Sequence, residues 1–334
     1  MSPRKSRRIA AALASAAATA LVLTISGCGS SGSAASSGAT RVFEADNGRV
    51  TIPAAPKRIV ATGYAVPVLI EADAPLAGIS EWTRGVPMMT REDLATYQRL
   101  TKIAGNPADT TNYEAIAKVK PDLIIVGVPK PVLGDLDMKR LESIAPVAVV
   151  GPSLPSSWRE LSRRQADAAG RAATFQQTKD AYEKRAAELK AKYAGVLGGL
   201  EFGHVGAYGE GQQGTFQREF AGSWGTNIAT DAGVTYYGQV KKKGGGSRDV
   251  SEYPSIEEVP ASLGEADAIT YTVNADGSVP DPVKYVLDSK LWKNLPAVKA
   301  GKTFAVRYTE AATYTSALKT LDALDTALAP LVKS

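Results

Sequence analysis

Aromatic and arginine side chains recur in this sequence just beyond short apolar runs, a pairing suited to non-covalent capture of a small molecule. Tyr64 follows residues 58–62, and Trp82 and Arg84 follow residues 76–80 within Glu81-Trp82-Thr83-Arg84-Gly85. Phe216, Arg218 and Trp224 occupy a Gly-rich stretch after residues 202–208, Tyr236 and Tyr237 come soon after, and Tyr271 and Arg307 close two later runs. Aromatic faces cover apolar ligand surface, and the planar guanidinium fork donates to adjacent oxygen acceptors. An arginine beside a tryptophan in a Gly/Pro-containing loop has little reason to be core. Trp82 is therefore expected to stack on a ligand, with Arg84 and Arg218 donating to its oxygens.

Other chemistries find little support. Gly222-Ser223-Trp224-Gly225 misses the Gly-x-Ser-x-Gly spacing of a nucleophile elbow. The chain's single histidine, His204, lies inside an apolar run and reads as a packed or backbone-bonded side chain. Bare zinc or manganese requires imidazoles and carboxylates to replace the metal's water shell, so direct metal capture is not expected. No Gly-rich phosphate loop of the P-loop type is present.

Side chains just after strand ends are positioned by open parallel sheets, and the sequence alternates accordingly. Candidate strands at residues 58–62, 76–80, 122–127 and 147–151 alternate with helical segments that include 113–119 and 135–144. Residues 156–194 contain no proline and place Trp158, Leu161, Phe175, Tyr182, Leu189 and Tyr193 at spacings that predict one long helix, ended by Gly195. Strands near 202–208, 268–273 and 303–307 follow. A last helix over 312–332 carries Leu318, Leu321, Leu324, Leu328 and Leu331 on one stripe. The expected fold is α/β: two lobes with mainly parallel sheets, 41–155 and 196–334, joined by one backbone helix over 156–195.

The N-terminus reads as an export signal over residues 1–27: a basic start, an apolar stretch over 9–25, then small residues. It takes four basic residues and no acid from totals of 39 and 34, leaving 35 against 34. The basic balance that would suit a nucleic-acid partner vanishes with it. Ile25-Ser26-Gly27-Cys28 resembles the lipobox of bacterial lipoproteins, in which the cysteine becomes the first residue and carries lipid. Cys28 is the only cysteine, so no intramolecular disulfide can form. Residues 28–40, rich in Gly and Ser, read as a flexible tether. A body anchored to the outer face of the cell membrane is expected.

Five phrases then occur in a consistent order around the long helix. They are Pro56-Lys57-Arg58-Ile59-Val60, Glu114-x-Ile116 through Pro121-Asp122-Leu123-Ile124, Ile144-Ala145-Pro146-Val147, Ser255-x-Glu257, and the Trp292 to Gly301 phrase. Together, behind a lipoprotein signal, they resemble the substrate-binding proteins of ABC importers for iron siderophores and vitamin B12, the class III periplasmic-binding-protein fold. The resemblance implies a monomeric binding protein, not an enzyme, with no cofactor. Its ligand would be a ferric siderophore held in the cleft between lobes, so that iron arrives already chelated. Its partners would be an ABC permease and a separate ATPase. Tyr64, Trp82, Arg84, Phe216, Arg218, Trp224, Tyr236, Tyr271 and Arg307 are the candidate ligand contacts. A near-neutral charge with a supply of Trp and Tyr favours a hydroxamate of the ferrioxamine kind over polyanionic catecholate or citrate complexes. A cobalamin binder of the same fold is the alternative.

Glu114 and Glu257 each stand two residues after a good N-cap, Asn112 and Ser255, where an acid favours the positive end of a helix. Thr111 with Glu114, and Ser255 with Glu258, also fit capping-box spacing. In the family resembled, one glutamate from each lobe in matching phrases meets arginines of the permease. The resemblance thus implies that Glu114 and Glu257 are docking points.

Overall fold

The computed structural model describes residues 38–207 and 214–333. Cys28, the signal segment and almost all of the tether lie outside the described residues, as does Tyr208 at the end of one expected strand. Thr40, assigned above to the tether, opens a hairpin of β1 (Thr40–Ala45) and β2 (Gly48–Pro53). Its turn is tied to the first sheet, where Asn47 donates to the Val147 carbonyl (3.0 Å) and accepts from the Val149 amide (3.0 Å).

The first sheet has five parallel strands: β3 (Ile59–Gly63), β4 (Leu76–Ser80), β5 (Lys102–Ala104), β6 (Leu123–Gly127) and β7 (Val147–Val149), ordered β5-β4-β3-β6-β7. The strand order reverses at β3, leaving a crevice beyond the carboxyl ends of β3 and β6, where ligands bind in such sheets. The three-residue β5 is too short to show periodicity, with only Ile103 buried among its side chains.

The second sheet contains β8 (Glu201–Gly206), β9 (Gln217–Glu219), β10 (Thr235–Tyr236), β11 (Ser251–Glu252), β12 (Ala268–Thr272) and β13 (Thr303–Val306). Its order is β11-β9-β8-β12-β13, with β10 beside β8. The pairs β8–β12 and β12–β13 are parallel, while β9 runs antiparallel to both β8 and β11.

The expected backbone helix is two helices. Trp158–Ala168 ends at Ala169-Gly170-Arg171, and a 26-residue helix, Ala172–Leu197, follows, about 39 Å long. Gly170 has φ +68°, a conformation that stops the first helix cheaply only in glycine. The buried Phe175, Tyr182, Leu189 and Tyr193 nevertheless share one face of the longer helix and pack against the C-terminal helix, Tyr314–Lys333. Arg185 binds Asp322 and Asp325 at 2.9 Å each, and Tyr193 donates to Asp325 (2.6 Å). Among the described residues no helix is long and apolar enough to cross a membrane.

Candidate functional site

Four of the expected ligand contacts meet at the carboxyl ends of β3 and β4, where a loop of the second sheet reaches them. Tyr64 follows β3, with its amide fixed on the Gly127 carbonyl (2.9 Å). Trp82 follows β4, its amide held by the Tyr97 hydroxyl (2.9 Å). Gly85 lets the Trp82 indole fold back against the chain, since a Cβ there would lie 2.2 Å from Trp82 Nε1. Trp224 arrives from the second sheet on a loop after β9, anchored beneath by Glu219, which accepts from the Gly225 amide (2.6 Å).

The three rings surround one cation. The Arg84 guanidinium carbon lies 4.4 Å from the Trp82 ring centroid, 4.7 Å from Tyr64 and 5.1 Å from Trp224. Tyr64 meets Trp82 edge-on at 4.8 Å and stacks on Trp224 at 5.9 Å. Cation–π contact holds Arg84 here, yet its Nε and Nη2 are buried and donate to nothing. Unpaired buried donors are costly, and these two await an acceptor. Burial raises the Tyr64 hydroxyl pKa, and the adjacent Arg84 charge opposes the rise. Glu310, past β13, is likewise raised by burial and drawn back by Arg84.

Two chambers open on the cage. One, of about 600 Å³, lies between Pro129–Pro131, Pro152–Pro155 and Gly244–Arg248, with Tyr64 and Trp224 at its base. The other, of about 480 Å³, is lined by Tyr64, Trp82, Arg84, Asn106–Asp109 and Pro129 among others. Both volumes fall within the range of small-molecule clefts. Among the described residues no cluster of three or more His, Cys, Asp or Glu side chains is arranged to hold a metal ion.

The remaining candidates stand apart from the cage. Arg218 lies on β9, fully buried, and donates to the carbonyls of Glu219 (2.5 Å), Ser262 (3.2 Å) and Tyr237 (3.2 Å). It is a structural tie rather than a ligand donor: backbone carbonyls already occupy its fork. Phe216 and Tyr236 are buried in the hydrophobic clusters flanking the second sheet, and the Tyr236 hydroxyl is engaged with Thr270 (2.9 Å). Tyr271 meets Trp292 edge-on at 6.3 Å, and Arg307 lies over Tyr308 at 5.9 Å. Neither lines a chamber. His204 is buried with its ring nitrogens at Thr270 (2.7 Å) and Thr272 (3.2 Å). Burial, then the Arg218 charge, pushes its pKa down to about 3, so the ring is neutral.

The sequence reading missed Lys130, Arg248, Asp109, Asp135 and Glu310 as cleft residues. Lys130 was findable, because it lies just past β6 and the strand-end rule that selected Tyr64 applies to it equally. Glu310 likewise lies just past β13, in a recess beside the cage, whereas Arg248 gave no such signal, for only the packing of distant loops brings it to the cleft.

Glu114 and Glu257 are both exposed. Asn112 caps its helix through the Ala115 amide (2.9 Å), while Thr111 turns to the Ala108 carbonyl (2.6 Å), so the Thr111–Glu114 capping box does not form. The second box does form, with Ser255 and Glu258, and Glu258 also pairs with Lys241 (2.8 Å). Neither Glu114 nor Glu257 makes a side-chain hydrogen bond or ion pair among the described residues, so both carboxylates are free.

Residues 60–308 match the family model described as periplasmic binding protein. The iron(3+)-hydroxamate-binding protein YxeB of Bacillus subtilis (strain 168) is 26% identical over 293 residues, 85% of this chain and 84% of the relative. The iron(3+)-hydroxamate-binding protein FhuD of the same strain is 27% identical over 292 residues, 85% of this chain and 86% of the relative. Among solved structures, the siderophore periplasmic binding protein from the fuscachelin gene cluster of Thermobifida fusca superposes with a TM-score of 0.66. It is 28% identical to this chain, covering 84% of it and 98% of its own length.

Proposed function

The chain belongs to the periplasmic binding protein family, in its class III α/β form, and on that premise we propose that it captures a ferric siderophore of hydroxamate type and delivers it to an ABC permease. The observation that carries the reading is the cage of Tyr64, Trp82 and Trp224 around an arginine whose Nε and Nη2 have no acceptor. A ferric hydroxamate presents apolar linkers for the rings and a set of oxygens around the metal for the guanidinium. The relatives named for iron(3+)-hydroxamate support this ligand class over the corrinoid alternative. The iron is cargo, held by the siderophore's own oxygens.

The protein acts as a monomeric carrier rather than a catalyst. Exposed Glu114 and Glu257 seat it on the permease, and a separate ATPase drives transport. Cys28, as a lipobox cysteine, anchors it to the outer face of the cell membrane, and Cys28→Ser is expected to move it from the membrane to the soluble fraction. A carrier that remains membrane-bound after that change is held by something else.

A thermal-shift panel of ferric hydroxamate, catecholate, citrate and corrinoid ligands tests the ligand assignment. A thousandfold excess over Kd stabilises the folded protein by about 4 kcal/mol. A large shift is expected with a ferric hydroxamate. No shift with any of the four contradicts the assignment.

A further inference from the structure

The charges around this cleft are matched. Lys130 and Arg248 line the larger chamber, and Asp109 and Asp135 share the other chamber with Arg84. Beneath the cage, Glu310 lines a small recess together with Trp82 and Gly85, which share the loop after β4 with Arg84. Three basic and three acidic side chains thus line the two chambers and the recess. Glu71 also reaches that recess, but its carboxyl is buried, bonded to the Thr313 hydroxyl (2.5 Å) and raised to about 8, so it is neutral near pH 7.

Glu310 holds a particular place among these acids. Asp109 and Asp135 are exposed and screened by water, whereas Glu310 is partly buried beside the cation that would meet a ligand's oxygens. A charge in that position acts through a lower effective dielectric than one at the rim. An arginine alone at the centre of a cleft would favour anionic chelates without limit. With the Glu310 carboxyl nearby, it keeps its directed N–H donors while part of its positive potential is offset.

We infer that Glu310 sets the charge class of the ligand: by balancing Arg84 it tunes the cage to a chelate of zero net charge and disfavours anionic ones. The inference rests on the siderophore reading and deepens it. In a ferric trihydroxamate, three singly charged hydroxamates cancel the charge of Fe3+. In a ferric tris-catecholate, the doubly charged catecholates leave a trianion. Discrimination by a like charge facing the wrong ligand is the physical device.

The test measures affinities of ferrichrome, a neutral trihydroxamate, and of ferric enterobactin, a trianion, by fluorescence titration on the wild-type protein and on Glu310→Gln. The ratio of trianion to neutral affinity is expected to rise by about tenfold or more in Glu310→Gln and to return toward wild type in Glu310→Asp. An unchanged ratio, or equal loss of both affinities, overturns the role of Glu310 while leaving the siderophore reading in place. Wild-type protein that binds neither chelate overturns that reading itself. If Glu310→Gln does not fold, Arg84→Gln probes the same balance from the other side. It is expected to weaken the trianion more than the neutral chelate, and equal weakening overturns the inference.

Discussion

The Tyr64 and Trp224 rings lie nearly parallel, 13° apart in plane with centroids 5.9 Å apart, and Arg84 places its guanidinium against both. Tyr64 follows a strand of the first sheet and Trp224 a strand of the second, so this stack bridges the two sheets at the cleft. Aromatic pairs of this kind contribute about 0.5–1.5 kcal/mol beyond the area they bury. Replacing Trp224 with Ala should weaken ferric hydroxamate binding by about three- to tenfold, and titration of the remaining tryptophan fluorescence checks it. Unchanged affinity would place the ligand away from this stack.

Arg84 yields a sharper expectation. Hydrogen bonds from a charged donor are worth about 1.5–3 kcal/mol, so Arg84→Gln should reduce affinity by about ten- to a hundredfold. Its lost cation–π contacts are offset by the removal of two buried donors that satisfy nothing in the unliganded protein, so the melting temperature should change little. A variant that loses stability along with affinity would mark Arg84 as a structural residue.

Much of this was legible in the sequence, and the failures share a cause. Strand β4 and the Trp82–Arg84 loop were visible because apolar runs and a Trp-Arg pair outside them are local signals. Arg218 was misassigned because β9 reads Gln217-Arg218-Glu219, polar at every position, yet all three are buried. An internal polar strand cannot be recognised by hydrophobic period: here Arg218 is tied to backbone carbonyls and Glu219 to the Gly225 amide. The two helices read as one because residues 156–194 contain no proline and carry apolar residues at helical spacing on both sides of Gly170, whose positive φ marks the break. Arg84's unpaired nitrogens and Glu310's proximity are three-dimensional facts with no sequence counterpart.

Stability should carry a pH signature from Glu71. Burial raises its carboxyl to about 8 from the ordinary 4.5, with the Thr313 hydroxyl opposing that rise. The folded-state pKa is the higher one, so the stabilising contribution is complete below about 4.5 and is lost as pH rises through about 8. Glu71→Gln does not titrate. Compared with wild type it should gain stability progressively from pH 5 to pH 8, by up to about 5 kcal/mol at the limit. Denaturant melts at both pH values check this. A constant difference between the two proteins would mean that Glu71 is ionised in the fold.

Docking is separable from capture. Glu114 and Glu257 are exposed and unpaired, and neither lines a chamber that opens on the cage. Reversing both, Glu114→Lys with Glu257→Lys, should abolish siderophore uptake by cells while leaving ligand affinity within about twofold, since interface charges act on encounter and register. Loss of ligand affinity in the purified double variant would contradict a docking role.

The central claim is that the caged arginine and its three rings receive a ferric hydroxamate. Calorimetric titration of the purified protein with ferrichrome, compared with the same titration of the Trp82→Ala/Arg84→Gln variant, tests it most directly. The account predicts one-to-one binding by the wild-type protein and a loss of at least about a hundredfold in the double variant. No heat of binding in the wild type, or equal affinity in both proteins, would contradict it.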